Sequence, residues 1–155
     1  MNTFRKYNLI TGWSVFLISA VVYILTIEST TSFWDTGEFI TSSYKLEVGH
    51  PPGAPFFMIL GRLFTLFATD LQTISVTMNI MSALASAFTI LFLFWTITHL
   101  ARKIMVKEER DLHLKNIISM MGAGAVGALA YTFSDTFWFS AVEAEVYATS
   151  SLFTA

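Results

Sequence analysis

Four ionisable side chains lie between two long apolar stretches of the sequence. Asp35 and Glu38 are three residues apart, His50 precedes a double proline, and Arg62 interrupts an apolar run. Two carboxylates on one helical face beside an apolar boundary tend to differ in pKa. One can then act as a general base while the other holds a proton or a cation. Histidine and arginine can stabilise a phosphate. The stretch 33–64 therefore predicts chemistry at a membrane surface.

Each of these residues also has a structural interpretation. Asp35 and Glu38 fit a capping box, in which Asp35 caps the following helix and Glu38 reaches back to it. His50 is either a surface loop histidine or a phosphate ligand at the N-terminus of the helix that Pro55 begins. Arg62 either extends to the lipid headgroups or supplies a second phosphate contact. Both sets of interpretations stay open at this point.

A second acidic segment, WFSAVEAEVYATSSLF, occupies 138–153. We predict a partial helix from about residue 143. On that helix Glu143 and Tyr147, four residues apart, would share a face, while Glu145 would point elsewhere. The alternative is a solvated turn before the next helix.

The composition indicates an integral membrane protein. Of the 155 residues, 54% are apolar and only 13% are charged, and the mean hydropathy is +0.61. A soluble domain usually carries about 25% charged residues. The sequence contains no cysteine, which excludes disulfides and thiolate metal sites. The net charge of −2 argues against a nucleic-acid partner.

Three segments have the length and the apolar character of membrane spans: about 10–27, 73–100 and 117–133. The first is predicted to be a retained signal anchor, with a cleaved signal peptide as the alternative. The apolar run 54–68 is short for a span and suits an interfacial helix. The fold class is therefore all-α, a single domain of multi-pass transmembrane helices with interfacial helices in the loop 28–72.

The distribution of charge predicts the orientation. Eight acidic residues lie in 28–72 and after residue 133, where the basic residues are only Lys45 and Arg62. The N-terminus and the loop 101–116 hold seven basic residues: Arg5, Lys6, Arg102, Lys103, Lys107, Arg110 and Lys115. The positive-inside rule puts the N-terminus and this loop in the cytoplasm. Both acidic segments then reach the outer face, where their repulsion is unfavourable unless something cationic or proton-exchanging binds.

These residues resemble the N-terminal part of the multi-pass, lipid-linked-sugar-dependent glycosyltransferases of the GT-C superfamily. The chain is most similar to a bacterial family of protein O-mannosyltransferase-like membrane proteins. The resemblance covers nearly the whole chain and rests on WDTGEF at 34–39, GHPPGAPFFMILGRLF at 49–64 and FWFSAVEAEVYA at 137–148. It implies a GT-C-like fold of which this chain is an N-terminal fragment, inactive alone, within an enzyme of the hexosyltransferase type.

The resemblance also implies a role for each position. Family members have an acidic residue in the first outer loop that acts as general base on the acceptor hydroxyl; Asp35 matches it best and Glu38 second. Related enzymes often carry a lysine that contacts the lipid phosphate where this chain has His50, with Arg62 as a further phosphate contact. The second acidic segment would line the donor-sugar or acceptor site through Glu143, Glu145 and Tyr147.

The implied reaction moves a sugar from a polyprenyl-phosphate donor to a hydroxyl of a translocated protein, at the outer face of the bacterial inner membrane. The expected partners are the donor, the acceptor protein and the lipid bilayer. We expect no cofactor and no metal, with a divalent cation at the two carboxylates as an open alternative. Two other classes compete: a transporter subunit would place acids inside the spans, and a non-catalytic scaffold would tolerate loss of Asp35 and His50.

Overall fold

A computed structural model describes residues 3–51, 53–106 and 112–155. Within these ranges helices are the only regular secondary structure and no strand is present, which confirms the all-α prediction. The helices are α1 (Thr3–Leu25), α2 (Thr36–Lys45), α3 (Pro55–Thr65), α4 (Thr73–Met105), α5 (Leu114–Thr132), α6 (Asp135–Val142) and α7 (Val146–Thr154). Pro52 of the double proline, and Lys107 and Arg110 of the predicted cytoplasmic loop, lie outside the described residues.

Two helices, α1 and α4, are long and apolar enough to cross a membrane, and α5 with α6 passes the same test as one span bent by 67°. These helices lie where the sequence predicts spans, but their ends differ. The N-terminus of α1 reaches back to Thr3, and α4 continues to Met105 through Arg102 and Lys103. Arginine and lysine are good helix formers, so each helix extends beyond the apolar stretch that it contains.

The largest buried cluster forms where α1, α4 and α5 meet, and it includes Tyr23, Phe94 and Met120. Close approach of α5 to α4 depends on Gly124. A Cβ atom at Gly124 would lie 2.7 Å from Thr98 Cγ2 and 2.9 Å from Phe94 Cε2. Small residues at such crossings let two membrane helices pack backbone to backbone.

The bend between α5 and α6 is fixed to the end of α1 by side-chain hydrogen bonds. The Tyr23 hydroxyl donates to the Thr132 carbonyl at 3.0 Å, and the Ser19 and Thr132 hydroxyls lie 3.0 Å apart. Across the bend, the Trp138 indole donates to Thr26 Oγ1 at 3.0 Å. The start of the second acidic segment is therefore held beside the start of the loop 28–72.

The short helices α2 and α3 fold against each other and against α4 between the first two spanning helices. Pro55 occupies the first turn of α3, as the sequence predicts, because proline lacks the N–H that a first turn leaves unpaired. At 11 residues, α3 is too short to cross a bilayer. Its outward face is apolar, with Phe56, Ile59 and Leu63 all exposed, so α3 suits the predicted interfacial position.

Candidate functional site

The site is organised around a bidentate contact between Glu38 and His50. Glu38 Oε1 accepts a hydrogen bond from the His50 backbone N–H at 2.6 Å, and Oε2 lies 3.0 Å from Nδ1 of the ring. The chain turns back after α2 at Leu46, which has φ 57°. Gly49 permits the close approach, because a Cβ atom there would lie only 3.1 Å from Glu38 Oε1.

This contact favours a positively charged histidine. The hydrogen bond to Glu38 raises the pKa of His50, and the nearby charges of Glu38 and Asp35 add to that effect. The N–H and ring of His50 in turn lower the pKa of Glu38. His50 therefore keeps its charge to higher pH than a free histidine, and the interpretation as a loop histidine without a partner is wrong.

Asp35 approaches the far side of the same imidazole ring. Its Oδ2 lies 3.9 Å from His50 Nε2, and half or more of its side chain is exposed. Trp34, at φ 62°, turns the chain sharply so that Asp35 stands immediately before α2. In the part of the chain described, Asp35 makes no side-chain capping bond, and Glu38 binds His50 instead of reaching back. The capping-box interpretation is therefore wrong, and Asp35 is free to meet a ligand.

Asp35 and His50 line a cavity of about 270 Å³ together with Glu145 and Tyr147. The two acidic segments are joined directly, since the Thr36 hydroxyl donates to Glu145 Oε1 at 3.3 Å. Thr36 is fully buried at the start of α2. Thr36 carries no signal of this role in the sequence, because nothing there distinguishes a structural threonine from one that orients a carboxyl group.

A second tie between the two segments runs through the backbone and through Asn79. The Glu28 N–H donates to the Val142 carbonyl at 3.2 Å. Asn79, fully buried near the start of α4, donates from Nδ2 to the Glu28 carbonyl at 2.8 Å. Asn79 of α4 thus fixes the loop at Glu28, and Glu28 in turn binds the end of α6.

The predicted pairing of Glu143 with Tyr147 is wrong. The first helix of this segment, α6, ends at Val142, the backbone is extended at Glu143 (φ −125°, ψ 156°) and Glu145 (φ −117°, ψ 148°), and the next helix begins at Val146. Helical spacing does not apply across this break. Glu145 and Tyr147 consequently line the cavity, while Glu143 is 6% exposed and does not line it.

Burial raises the pKa of Glu145 above its ordinary value, and the carboxylates of Glu143 and Asp35 raise it further, against the opposing hydrogen bond from Thr36. The cavity therefore combines two unlike carboxyl groups. Asp35 is exposed beside the imidazole ring of His50, whereas Glu145 is partly buried beside other acids. Carboxyl groups in such different environments are suited to different roles.

Arg62 lies apart from this cavity. Its Nη1 donates to the Tyr44 carbonyl at 2.9 Å, and its guanidinium stacks 5.3 Å from the centre of the Tyr44 ring. These contacts tie α3 to the last turn of α2. The structure thus brings together Asp35, Glu38, His50, Glu145 and Tyr147, and leaves out Arg62 and Glu143.

Three of these side chains have the chemistry of a cation site. One ligand atom each from Asp35, Glu38 and His50 lies within 4.8 Å of the others. Carboxylate oxygen and imidazole nitrogen are ligands for many divalent ions. Glu38 and the His50 ring, however, already bind each other at 3.0 Å, so an ion bound by all three side chains would have to replace this contact.

Comparison with known proteins finds similar sequences over most of this chain. The model of the "Protein O-mannosyl-transferase TMEM260 N-terminal domain" matches residues 35–155. The chain is 29% identical over 141 residues to protein O-mannosyl-transferase TMEM260 of Mus musculus, covering 90% of this chain and 17% of the relative. It is 24% identical over 142 residues to protein O-mannosyl-transferase tmem260 of Dictyostelium discoideum, covering 91% of this chain and 15% of the relative.

The chain thus spans about a sixth of the length of these relatives. No solved structure matches it. The family match begins at Asp35 and includes every residue that lines the cavity. Because this match covers most of the chain, and the resemblance seen in the sequence agrees with it, the chain belongs to the family of the protein O-mannosyl-transferase TMEM260 N-terminal domain.

Proposed function

We propose that this chain supplies the catalytic base and a phosphate-binding group to a membrane glycosyltransferase that O-mannosylates proteins. The observation that carries the proposal is the juxtaposition of Asp35 with a histidine whose pKa is raised by its contact with Glu38. The relatives are named protein O-mannosyl-transferases. Because the chain spans about a sixth of their length, we assign the activity to a full-length protein that contains it.

The proposed donor is a mannose joined to a polyprenyl phosphate, and the acceptor is a serine or threonine hydroxyl of a translocated protein. Asp35 takes the hydroxyl proton, and the acceptor oxygen forms a bond to the anomeric carbon. The bond from that carbon to the phosphate oxygen breaks, and the lipid phosphate leaves with the electron pair. A single displacement of this kind inverts the sugar.

His50 is proposed to stabilise the leaving phosphate. Its Nδ1 side is held by Glu38, so the Nε2 side, which faces Asp35, is available for an anion. The 3.9 Å between Nε2 and Asp35 Oδ2 is too short to hold a sugar between base and leaving group. Substrate binding must therefore separate the two side chains. A leaving group with a single phosphate needs no metal in this scheme, since the imidazolium supplies the charge.

The reaction is proposed to occur at the non-cytoplasmic face, which in a bacterium is the outer face of the inner membrane. The two acidic segments lie side by side, and the positive-inside rule puts both away from the cytoplasm. The competing transporter class has less support, because α1, α4 and α5 contain no aspartate or glutamate along their length. A proton pathway through the membrane would need such groups.

Asp35→Asn in the full-length protein tests the proposal. We expect transfer from polyprenyl-phosphate mannose to a secreted acceptor to fall by about 10²–10⁴-fold, the usual contribution of a general base. The matched control is Glu47→Gln, a similar loss of charge at an exposed carboxylate that pairs with Lys45, 3.9 Å away. Both variants must reach the membrane in normal amounts. Undiminished transfer by Asp35→Asn would remove Asp35 from the mechanism. Absence of transfer even by wild type, across several donors, would favour the non-catalytic class.

A further inference from the structure

Glu145 lines the cavity, but the reaction proposed above assigns it no role. We propose, resting on the proposed function, that Glu145 takes up a proton when the lipid-linked donor binds, and donates it in a hydrogen bond to an oxygen of the donor phosphate. The proton comes from solvent. Glu145 would then be a donor-binding residue, distinct from the base Asp35.

The position of the carboxyl group supports this role. Thr36 donates to Oε1 at 3.3 Å, and Thr36 itself accepts a hydrogen bond from Ser32 at 3.3 Å. This chain of hydroxyls orients the carboxyl group from one side. Over the described residues, no second hydrogen bond reaches it, so Oε2 remains available to a ligand in the cavity.

The charges around the cavity explain why a proton is needed. Asp35 lines it from the position just before α2, Glu38 contacts the His50 ring without lining the cavity, and Glu143 lies two residues before Glu145 in the extended segment. Among the described residues of the lining, His50 is the only basic side chain, and no lysine or arginine is present. A phosphate entering here would meet the carboxyl groups of Asp35 and Glu145 and one imidazole ring. Protonation of Glu145 converts a repulsion into a hydrogen bond.

The environment of Glu145 makes its protonation easier than that of a free glutamate. Burial and the neighbouring acids raise its pKa before any ligand arrives, and an incoming anion acts in the same direction. The N-terminus of α7 would favour an ionised Glu145, but the side chain makes no capping bond to it within the part of the chain described. Tyr147, the remaining titratable group, lines the cavity from α7 and is largely exposed.

Donor binding as a function of pH tests the inference. The probe is polyprenyl-phosphate mannose, a phosphodiester whose charge stays constant, bound to the full-length protein between about pH 6 and pH 9. Wild type loses affinity at high pH through both His50 and Glu145. Glu145→Gln is neutral at every pH. We expect its Kd to rise less steeply with pH than that of wild type, the difference being about tenfold in Kd per pH unit. Glu145→Ala should bind at least about fivefold more weakly than wild type at low pH.

Glu47→Gln is again the control and should reproduce the wild-type curve. Equal slopes for wild type and Glu145→Gln, affinity of Glu145→Ala equal to wild type, or no binding by wild type at any pH would each overturn the inference. Binding needs no turnover, so the result is independent of the Asp35→Asn experiment. A shallower slope in Glu145→Gln with full transfer by Asp35→Asn would support the donor contact and refute the proposed base.

Discussion

At the scale of single residues, the contact between Glu38 and His50 extends the pH range over which the imidazole ring is charged. A histidine pKa lies near neutrality in the absence of neighbours. The bidentate contact to Glu38 raises it, so the charged form persists further into the alkaline range.

Glu38→Gln should therefore move the pH dependence of the full-length enzyme. The charged form of His50 is complete below its pKa and is lost as pH rises through it. Removing Glu38 lowers that pKa toward its ordinary value of about 6.5, so activity should fall at lower pH than in wild type. The measurement is kcat/KM for the donor against pH. An alkaline limb that stays in place, as it should in Glu47→Gln, would show that His50 does not carry the charge.

The sequence indicates which residue types form this site, but it does not predict which side chains contact each other. The three-residue spacing of Asp35 and Glu38 predicts that they lie near each other, and they do. It does not predict that Glu38 binds His50, because that contact depends on the left-handed turn at Leu46 and on the missing side chain of Gly49. Both are properties of the folded backbone. A glycine in a loop has too many possible uses to be interpreted from sequence.

At the scale of helices, the break between α6 and α7 decides which glutamate reaches the cavity. The stretch 142–146 contains neither glycine nor proline, so it carries no helix-ending signal. The extended backbone is stabilised by contacts from elsewhere, namely Glu28 with Val142 and Thr36 with Glu145. Tertiary hydrogen bonds override local helix preference at this point, and the sequence pattern alone therefore selects the wrong glutamate.

Two glycines of α5 offer a matched test of helix packing. Gly124 meets Thr98 and Phe94 of α4, whereas nothing lies within 4 Å of a Cβ built on Gly122. Gly124→Ala should destabilise the protein by about 1–3 kcal/mol through overpacking. Gly122→Ala should stabilise it by about 0.5–1 kcal/mol, since alanine loses less backbone entropy. Thermal unfolding in detergent checks both, and equal effects would show that the α4–α5 contact is not close.

At the scale of the whole molecule, composition and apolar length are enough to predict a helical membrane protein. The all-α fold class is confirmed, and the spanning helices lie where the apolar segments indicate. The sequence does not predict the exact helix ends, because α4 continues beyond its apolar stretch through Arg102 and Lys103 to Met105. It also does not predict how α2 and α3 fold back, since that depends on packing against α4.

The orientation in the membrane is a further prediction. The chain has no cysteine, so a single introduced thiol reports its own location. Glu47→Cys, in the exposed turn after α2, should react with a membrane-impermeant maleimide added outside the cell. Lys115→Cys, exposed near the start of α5, should react only after the membrane is opened. The reverse pattern would overturn the positive-inside assignment and place both acidic segments in the cytoplasm.

The length of α4 has a consequence for where the chemistry takes place. Its 33 residues extend about 50 Å, whereas the hydrocarbon core is about 30 Å thick. Asn79, in the second turn of α4, holds the loop that leads to the cavity. Tilt or protrusion of this one helix therefore sets the height of Asp35 and Glu145 above the lipid. A thicker bilayer would draw the site toward the hydrocarbon, so membrane thickness itself becomes a variable of the reaction.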